Sequence, residues 1–186
     1  SILSMINDIS AYYERNINNI NWLDKKTKES AISKLKNMKV NIGEYNNYPN
    51  YSKLYQISKN KTLLENIISM NKEKSKYELN KLSTDQTIPS VVVSQTVVNA
   101  YYSAQDNSIN FLTAFVNFYD KDLSYFENLG SVGMIIAHEI THAFDLNGSK
   151  FDANGNLNNW WTDKDSKNFE KLKEKVIKYY DKYEVI

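Results

Sequence analysis

The stretch Val132-Gly133-Met134-Ile135-Ile136-Ala137-His138-Glu139-Ile140-Thr141-His142-Ala143-Phe144-Asp145 decides how this chain is organised. Its apolar residues before His138 predict a single buried helix. On a helix, His138 and His142 leave the same face about one turn apart, a spacing at which two neutral imidazoles can bind one zinc ion. Glu139 is rotated by about 100° from His138, so its carboxylate can reach a water at the metal without being a ligand.

An ordinary buried helix is the alternative interpretation of this stretch, because a His-Glu-x-x-His pattern also arises by chance. Two observations favour the metal site. His138 and His142 are the only two His of the chain, so the pattern does not come from a His-rich composition. Two imidazoles and a carboxylate on an apolar helix would also cost several kcal/mol to bury without a compensating partner, and one zinc ion is such a partner.

The residues that follow the motif restrict the class of zinc site. A metzincin would need glycine at position 145 and histidine at position 148, where this chain has Asp145 and Gly148. The chain contains no Cys and no further His. A third protein ligand would therefore have to be a carboxylate, as in thermolysin-type enzymes.

Composition argues against several other function classes. The net charge of +1 gives no indication of nucleic acid or of an anionic membrane as a partner. No apolar run approaches the roughly 18 residues that a membrane span needs. Abundant Lys, Asn, Ile and Tyr beside a single Arg, Arg15, indicate an AT-rich bacterial genome. The compartment stays open between the cytoplasm and a secreted or cell-surface location.

Periodicity predicts a mainly helical α+β fold, and 186 residues are enough for one domain with a core. Apolar residues at helical spacing cover residues 2–18, the segment that follows the predicted cap Asp24, residues 62–83 and residues 163–183. Strand and turn patterns predict a strand at 39–42 that Gly43 ends, a turn at 46–50, strand-like valines at 91–93 and 97–98, and a β-hairpin over 96–113.

Three features mark the ends and anchors of the later helices. Gly148 is predicted to end the metal helix in the left-handed conformation. Thr162 with Asp165 three residues later resembles a capping box that opens the last helix. Trp160 and Trp161 are predicted to anchor packing rather than to bind substrate.

Four stretches together carry a resemblance to a known family. They are Asn21-Trp22-Leu23-Asp24 through Lys34-Leu35, Val98-Asn99-Ala100-Tyr101-Tyr102, Glu127 through Asp145, and the segment from Asn147-Gly148 to Trp160-Trp161-Thr162. In this order they resemble the neprilysin/endothelin-converting-enzyme family of zinc metallopeptidases. The resemblance implies a zinc endopeptidase whose fold is part of a thermolysin-like (gluzincin) catalytic lobe, with a small β-hairpin or sheet beside the zinc helix.

The same resemblance implies roles for the matching residues. His138 and His142 would be zinc ligands, and Glu139 would be the general base. Asn99 through its side chain and Ala100 through its backbone would hold the main chain of a peptide substrate, which agrees with the way extended peptides add to a strand edge. Without the resemblance, Asn99 would be interpreted as an ordinary strand or turn residue.

Asp145 matches a family Asp, and its role stays open between orienting a metal ligand and forming a local cap or salt bridge. Ala104 and Leu112 depart from the family, which usually has prolines there. The family's third zinc ligand, a Glu in a Glu-x-x-x-Asp helix, lies farther beyond the second His than this chain extends, as do its oxyanion-stabilising His and its substrate-binding Arg. We therefore expect a single partial domain, with a helical segment 1–83 and a segment 84–186 that carries the site.

The sequence leaves three hypotheses for function open. The first is a fragment of a zinc-dependent endopeptidase. The complete enzyme would cleave peptides, and the fragment would be inactive without a missing C-terminal segment. The second is a non-catalytic remnant that binds metal or peptide. The third is one part of a split enzyme whose missing ligand comes from another chain. Because the missing segment should pack on the metal helix, we also expect apolar residues near Ile135 and Ile140 to be exposed in its absence.

Overall fold

Helices make up most of the fold, and a small sheet lies among them. The computed structural model describes residues 1–43, 52, 55–83 and 93–183. The helices of these residues are α1 (Ile2–Asn19), α2 (Lys25–Lys36), α3 (Leu63–Ser83), α4 (Thr113–Val116), α5 (Tyr125–Asn128), α6 (Met134–Thr141) and α7 (Asp163–Tyr180). The predicted mainly helical α+β fold is confirmed, and the four long predicted helices lie within a few residues of their expected bounds.

The chain divides into two compact units. One consists of residues 1–44 and 90–186, and the other consists of residues 45–89. The first unit therefore joins residues from both sides of the predicted internal division between positions 83 and 84. The organisation as a single partial domain stays a prediction, and the predicted turn at 46–50 lies outside the described residues. No helix of the described part is long and apolar enough to cross a bilayer.

Three short strands form one sheet. They are β1 (Lys39–Ile42), β2 (Ala100–Ser103) and β3 (Ser108–Phe111). Strand β3 lies in the middle, where it pairs in parallel with β1 and antiparallel with β2. The predicted strand at 39–42 and the predicted hairpin are confirmed, although the hairpin strands are shorter than the range 96–113. Strand β2 is left at an edge of the sheet.

The valines before β2 do not continue the strand. A turn precedes β2, in which the backbone N–H of Val97 donates to the carbonyl of Ser94 at 3.1 Å. Val97 ends this turn and Val98 follows it, with 46% and 59% of their surface exposed. The strand prediction for 97–98 is therefore wrong, because a local turn overrides β-branched propensity there. Of the strand-like valines predicted at 91–93, Val93 does not lie in a strand, and Val91 and Val92 lie outside the described residues.

The core lies where α1 and the sheet pack against α6. Its buried side chains include Ile2, Met5, Ile6 and Ile9 of α1, Ile109 and Phe111 of β3, and Ile136 and Ile140 of α6. Each such side chain contributes about 1.5–3 kcal/mol of transfer free energy. Ile140 is completely buried and Ile135 is half-buried, so the prediction of exposure is wrong for Ile140, which these neighbours cover.

The hydroxyl group of Tyr13 ties α1 to the last turn of α6. It donates to the carbonyl of Ala137 at 3.0 Å and lies 2.6 Å from the hydroxyl of Thr141. The ring of Tyr13 stacks on Phe144, with 6.2 Å between the centroids. These contacts hold Ala137 and Thr141, the residues that directly precede His138 and His142 in the sequence.

The stretch 132–145 is not the single regular helix that the sequence predicts. A π-helical segment, Leu129–Gly133, leads into α6, which ends at Thr141. His142 takes the cap position with helical dihedral angles, and the chain then turns. The region still keeps both His one helical turn apart, because positions 138 to 142 all have helical backbone.

Gly148 is also not the left-handed helix terminator of the prediction. It begins a short 3₁₀ turn, Gly148–Lys150, and the glycines with positive φ in the described part are Gly43 and Gly155. A Cβ atom at Gly148 would lie 2.1 Å from the carbonyl oxygen of His142. Close approach of two backbone segments therefore requires glycine there.

Helix α7 begins at a cap that also joins it to the start of α2. Thr162 accepts a hydrogen bond from the Asp165 N–H at 3.1 Å, as the predicted capping box requires. The Asp165 carboxylate instead accepts from the hydroxyl groups of Thr27 and Thr162 at 2.5 and 2.7 Å and from the Asp24 N–H at 3.0 Å. Asp24 has no side-chain cap bond and pairs with Lys164 at 2.7 Å.

Trp160 and Trp161 lie where the loop before α7 packs. The indole N–H of Trp160 donates to the carbonyl of Phe151 at 2.9 Å. The ring of Trp161 lies 5.9 Å from that of Trp22 and 5.3 Å from that of Phe169, measured between centroids. These contacts agree with the predicted role of the two Trp as packing anchors.

Candidate active site

Two imidazole nitrogens converge at the C-terminal end of α6. The rings of His138 and His142 lie perpendicular to each other with centroids 4.7 Å apart. Their Nε2 atoms are 3.1 Å apart. The structure therefore brings the two predicted ligands together as their four-residue spacing requires.

Asp145 fixes the orientation of the second imidazole. Its Oδ2 lies 2.7 Å from Nδ1 of His142, and its Oδ1 accepts from the backbone N–H groups of Asn147 and Gly148 at 2.8 Å each. Burial acts to raise the pKa of Asp145, but the hydrogen bonds from His142, Gly148 and Asn147 outweigh it and hold the pKa below its usual value. The ionised carboxylate thus serves at once as a local cap and as a partner of His142.

Glu139 is buried between the two imidazoles and the sheet. Only 6% of its surface is exposed. Burial raises the pKa of Glu139, while the nearby His142 and His138 and a hydrogen bond from the Tyr102 backbone N–H act to lower it. A buried carboxylate with a raised pKa beside a cleft suits a group that takes up and releases a proton.

Strand β2 presents alternate backbone groups at the free edge of the sheet. The carbonyl of Asn99 accepts a hydrogen bond from the Leu112 N–H at 3.2 Å, so the backbone polar groups of Asn99 face the β3 side of the sheet. In an antiparallel pair, successive residues of a strand alternate between bonding to the partner strand and pointing their N–H and C=O away from it. Ala100 and Tyr102 accordingly face the free edge, where the Tyr102 N–H meets Glu139.

Asn99 lies immediately before β2 rather than within it, and it is exposed. It borders two cavities at the site. One, of about 450 Å³, is lined by residues that include His138, Glu139 and His142. The other, of about 650 Å³, is mostly apolar and is lined by residues that include Phe115, Phe118, Val132, Met134 and Ile135. Asn99, Ala100, His138 and Glu139 line both cavities, so the polar site and the apolar pocket adjoin.

The donor set fits a zinc ion in part. Two nitrogens bound to one tetrahedral zinc at about 2.0–2.1 Å would lie about 3.3 Å apart, close to the 3.1 Å between the Nε2 atoms. The contact with Asp145 favours a proton on Nδ1 of His142, which leaves the lone pair of Nε2 for a metal. Within residues 1–43, 52, 55–83 and 93–183, no group of three or more His, Cys, Asp or Glu is placed to hold a metal ion.

Two features of the site were not predicted from the sequence. The first is the proximity of the Tyr102 backbone amide to Glu139, which depends on the register of β2. The second is Lys34, which is buried beneath the loop that follows α6. One sequence signal points to Lys34, because it lies seven residues after Thr27 and three after Ala31, a helical spacing that places it on the buried face of α2.

The sequence matches two profiles of one family, peptidase family M13, over residues 1–46 and 99–186. A neutral endopeptidase of Lactobacillus helveticus is 36% identical over 95% of this chain. Membrane metallo-endopeptidase-like 1 of Mus musculus is 30% identical over 98% of it. The chain spans 28% and 25% of the lengths of these relatives.

Solved structures give the same result for the fold. PepO of Lactobacillus rhamnosis HN001 covers 92% of this chain with a TM-score of 0.79 and 30% identity. The Mycobacterium tuberculosis zinc metalloprotease Zmp1, in complex with an inhibitor, covers 99% with a TM-score of 0.81 and 28% identity. This chain corresponds to 28% of each of those chains. The two profiles, the relatives and the shared fold establish that the chain belongs to peptidase family M13.

Proposed function

We propose that this chain carries the catalytic helix of a zinc-dependent endopeptidase that hydrolyses peptides. The observation that carries the proposal is the convergence of the Nε2 atoms of His138 and His142, 3.1 Å apart, beside the buried carboxylate of Glu139. Two neutral nitrogen donors next to a carboxylate that is not a ligand are the parts needed for metal-assisted hydrolysis.

His138 and His142 would hold one zinc ion through their Nε2 atoms. When bound, zinc would supply Lewis-acid chemistry, which polarises a peptide carbonyl and acidifies a water. Glu139 takes the proton from the attacking water on its carboxylate and delivers it to the nitrogen of the departing amine. Asp145 holds the His142 ring so that Nε2, and not Nδ1, faces the site.

The edge of β2 provides the place for an extended substrate. Ala100 points its backbone N–H and C=O away from β3, so a peptide can pair with them as an added strand. The side chain of Asn99, at the border of both cavities, can donate to a substrate carbonyl and accept from a substrate N–H. Such contacts recognise the main chain and therefore select peptides without a strict sequence.

The apolar cavity adds a preference to this general recognition. It adjoins Glu139 and is bordered by Phe118, Met134 and Ile135. A large apolar side chain next to the cleaved bond fits such a pocket because its burial is favourable by about 1.5–3 kcal/mol.

A catalytic zinc site takes three protein ligands and a water, and the described residues gather two. We therefore infer that a carboxylate from outside the described residues completes the site, in the same protein or from another chain. The lack of a gathered third ligand is also the observation that favours the second candidate function, a non-catalytic remnant that binds metal or peptide. Turnover separates the two candidates.

Replacement of the general base tests the proposal. In a form of the protein that cleaves peptides, Glu139→Gln is expected to keep zinc and to lower kcat by about 10²–10⁴, because it removes a base and leaves both imidazoles. His142→Ala is the matched control and is expected to lose zinc together with activity. Zinc content and cleavage of a fluorogenic peptide are the measurements. Near-normal turnover by the Gln variant would end the hydrolytic assignment.

A further inference from the structure

Lys34 of α2 is a charged residue in the interior of the first unit. Its relative exposure is 1%. Its ammonium group donates to the carbonyls of Gly148 and Phe151 at 2.6 Å each. The aromatic rings of Tyr102 and Trp160 lie 5.8 and 5.6 Å from the nitrogen, which is within the range of cation–π attraction.

Removal of an ammonium group from water is unfavourable, so this position carries a cost that an apolar residue would not. Burial lowers the pKa of Lys34 to about 8, although Asp152 and Asp145 act to raise it. Two short hydrogen bonds to carbonyl groups offset the cost of burying the ammonium group. A methionine or leucine at this position would leave both carbonyls without this donor.

The two carbonyls belong to the loop that presents Asp145 to His142. Gly148 is held from both sides: its C=O accepts from Lys34, and its N–H donates to Oδ1 of Asp145 at 2.8 Å. The other oxygen of Asp145 contacts Nδ1 of His142 at 2.7 Å. A continuous path of hydrogen bonds thus joins the buried ammonium group to the imidazole.

Lys34 also borders the second element of the site. The ring of Tyr102 lies against its ammonium group, and the Tyr102 backbone N–H meets Glu139. The Tyr102 hydroxyl donates to Asn107, whose side-chain amide donates to the Lys34 carbonyl at 2.9 Å. The same residue therefore supports both the loop behind His142 and the strand beside Glu139.

We propose that Lys34 is a positioning residue for the metal site, which acts through Gly148 and Asp145 to fix the His142 ring with Nε2 directed at the metal. The role at a metal site rests on the proposed zinc function. The control of the His142 ring by Lys34 rests on the hydrogen-bond path alone. Lys34 touches neither the metal ligands nor the substrate edge of Ala100, so its effect is indirect.

The first test needs no metal. Because the chain has two His, ¹⁵N NMR of the metal-free 186-residue protein reports each imidazole separately, with His138→Gln for assignment. In the wild type, the proton of neutral His142 is expected on Nδ1. In Lys34→Met it is expected to spread over both nitrogens, while Lys36→Met, an exposed neighbour on α2, leaves the spectrum unchanged. A His142 signal in Lys34→Met identical to that of the wild type would overturn the proposal.

The second test is a double-mutant cycle on zinc affinity, measured by competition of Zn²⁺ with a chromogenic chelator. Lys34→Met is expected to weaken zinc binding about 10-fold, as loss of groups that orient metal ligands does. In an Asp145→Ala background it is expected to have no further effect, because the path is already broken. An equal loss in both backgrounds would show general structural damage and refute the positioning role.

Two other outcomes, a variant that does not fold and a wild type that does not bind zinc, are also distinguishable. If Lys34→Met does not fold, judged by circular dichroism, the same cycle with Lys34→Gln carries the same expectations, since its shorter, neutral side chain remains polar but does not replace the ammonium group that bridges both carbonyls. If the wild type does not bind zinc at all, the proposed function fails, while the NMR comparison still decides whether Lys34 controls the His142 ring.

Discussion

At the scale of single residues, Gly148 shows how a backbone contact constrains the site. Its α-carbon lies so close to the end of α6 that a Cβ would meet the His142 carbonyl at 2.1 Å and the Ala143 carbonyl at 2.6 Å. Both of these atoms are backbone and cannot move aside without shifting the helix end. The close approach lets the Gly148 N–H reach Asp145 and its C=O reach Lys34.

Gly148→Ala is therefore expected to lower the free energy of unfolding by about 1–3 kcal/mol, the usual cost of overpacking. Gly130→Ala is the matched control. An added Cβ at Gly130 meets no atom within 4 Å, and alanine in a helical segment stabilises by up to about 1 kcal/mol. Urea denaturation of both variants measures the difference. Equal midpoints for the two variants would contradict the predicted clash.

Asp165 gives a residue-scale prediction for the dependence of stability on pH. Burial acts to raise its pKa, but hydrogen bonds from Thr27, Thr162 and the Asp24 N–H outweigh it and lower the pKa below 3.8. A carboxyl whose pKa is lower in the folded state adds stability above its unfolded-state pKa and loses it as the pH falls through the folded-state pKa.

Asp165→Asn is thus expected to lower the free energy of unfolding by about 1.5–3 kcal/mol at about pH 7, the worth of a hydrogen bond to a charged group. The gap to the wild type should narrow as the pH falls below about 4. Asp163→Asn, an exposed neighbour on the same turn, is expected to change little. Denaturation at several pH values tests this, and a gap that stays constant down to about pH 2 would refute it.

At the scale of elements, the site is the junction of one helix and one strand edge. Helix α6 supplies His138 and Glu139, and its cap supplies His142. Strand β2 supplies the outward backbone of Ala100 and the amide that meets Glu139. Helix α1 covers the opposite side of α6. The face of α6 that carries the imidazoles therefore borders the cavities.

This arrangement predicts how Asn99→Ala affects turnover. In a form of the protein that cleaves peptides, kcat/KM is expected to fall about 3- to 10-fold for unrelated peptides alike, because one main-chain hydrogen bond is lost. Asn117→Ala, an exposed Asn outside both cavities, is the control. Rates for a panel of fluorogenic peptides provide the measurement. A loss confined to one side-chain class would place Asn99 elsewhere than at the substrate main chain.

At the scale of the whole molecule, the first unit places the two candidate zinc ligands, His138 and His142, beside a buried core. The core of α1, α6 and β3 is buried, and the chain spans 28% of the Lactobacillus helveticus relative. Large apolar side chains such as Met134 and Phe118, which border the apolar cavity, are 64% and 59% exposed. The core therefore holds α6 in place, while side chains that border the apolar cavity beside it are largely exposed.

The 186-residue chain by itself is accordingly expected to bind zinc through its two His more weakly than a three-ligand site and to lack measurable turnover. A catalytic zinc site takes three protein ligands and a water, and the described residues gather two. A segment that contributes a carboxylate, in cis or in trans, is expected to restore both properties. Zinc titration and a fluorogenic-peptide assay check this. Tight stoichiometric zinc with robust turnover by the chain alone would refute it.

Local patterns were enough to predict much of this protein. The four-residue spacing of His138 and His142 fixes their common face, because helical geometry depends on neighbours in sequence. Alternation gave the strand at 39–42 and the hairpin for the same reason. The position of Glu139 beside the imidazoles also follows from local geometry, although its role as the base stays a prediction.

Only the tertiary structure decided the features that join distant parts of the chain. The parallel pairing of β1 with β3, the complete burial of Ile140 and the contact of the Tyr102 amide with Glu139 all depend on how the elements pack. Lys34 and Gly148 are 114 residues apart, and no periodicity within either segment reports their hydrogen bond. Sequence patterns encode which face of an element is apolar, whereas the partner of a buried polar group is set by which elements meet over that face.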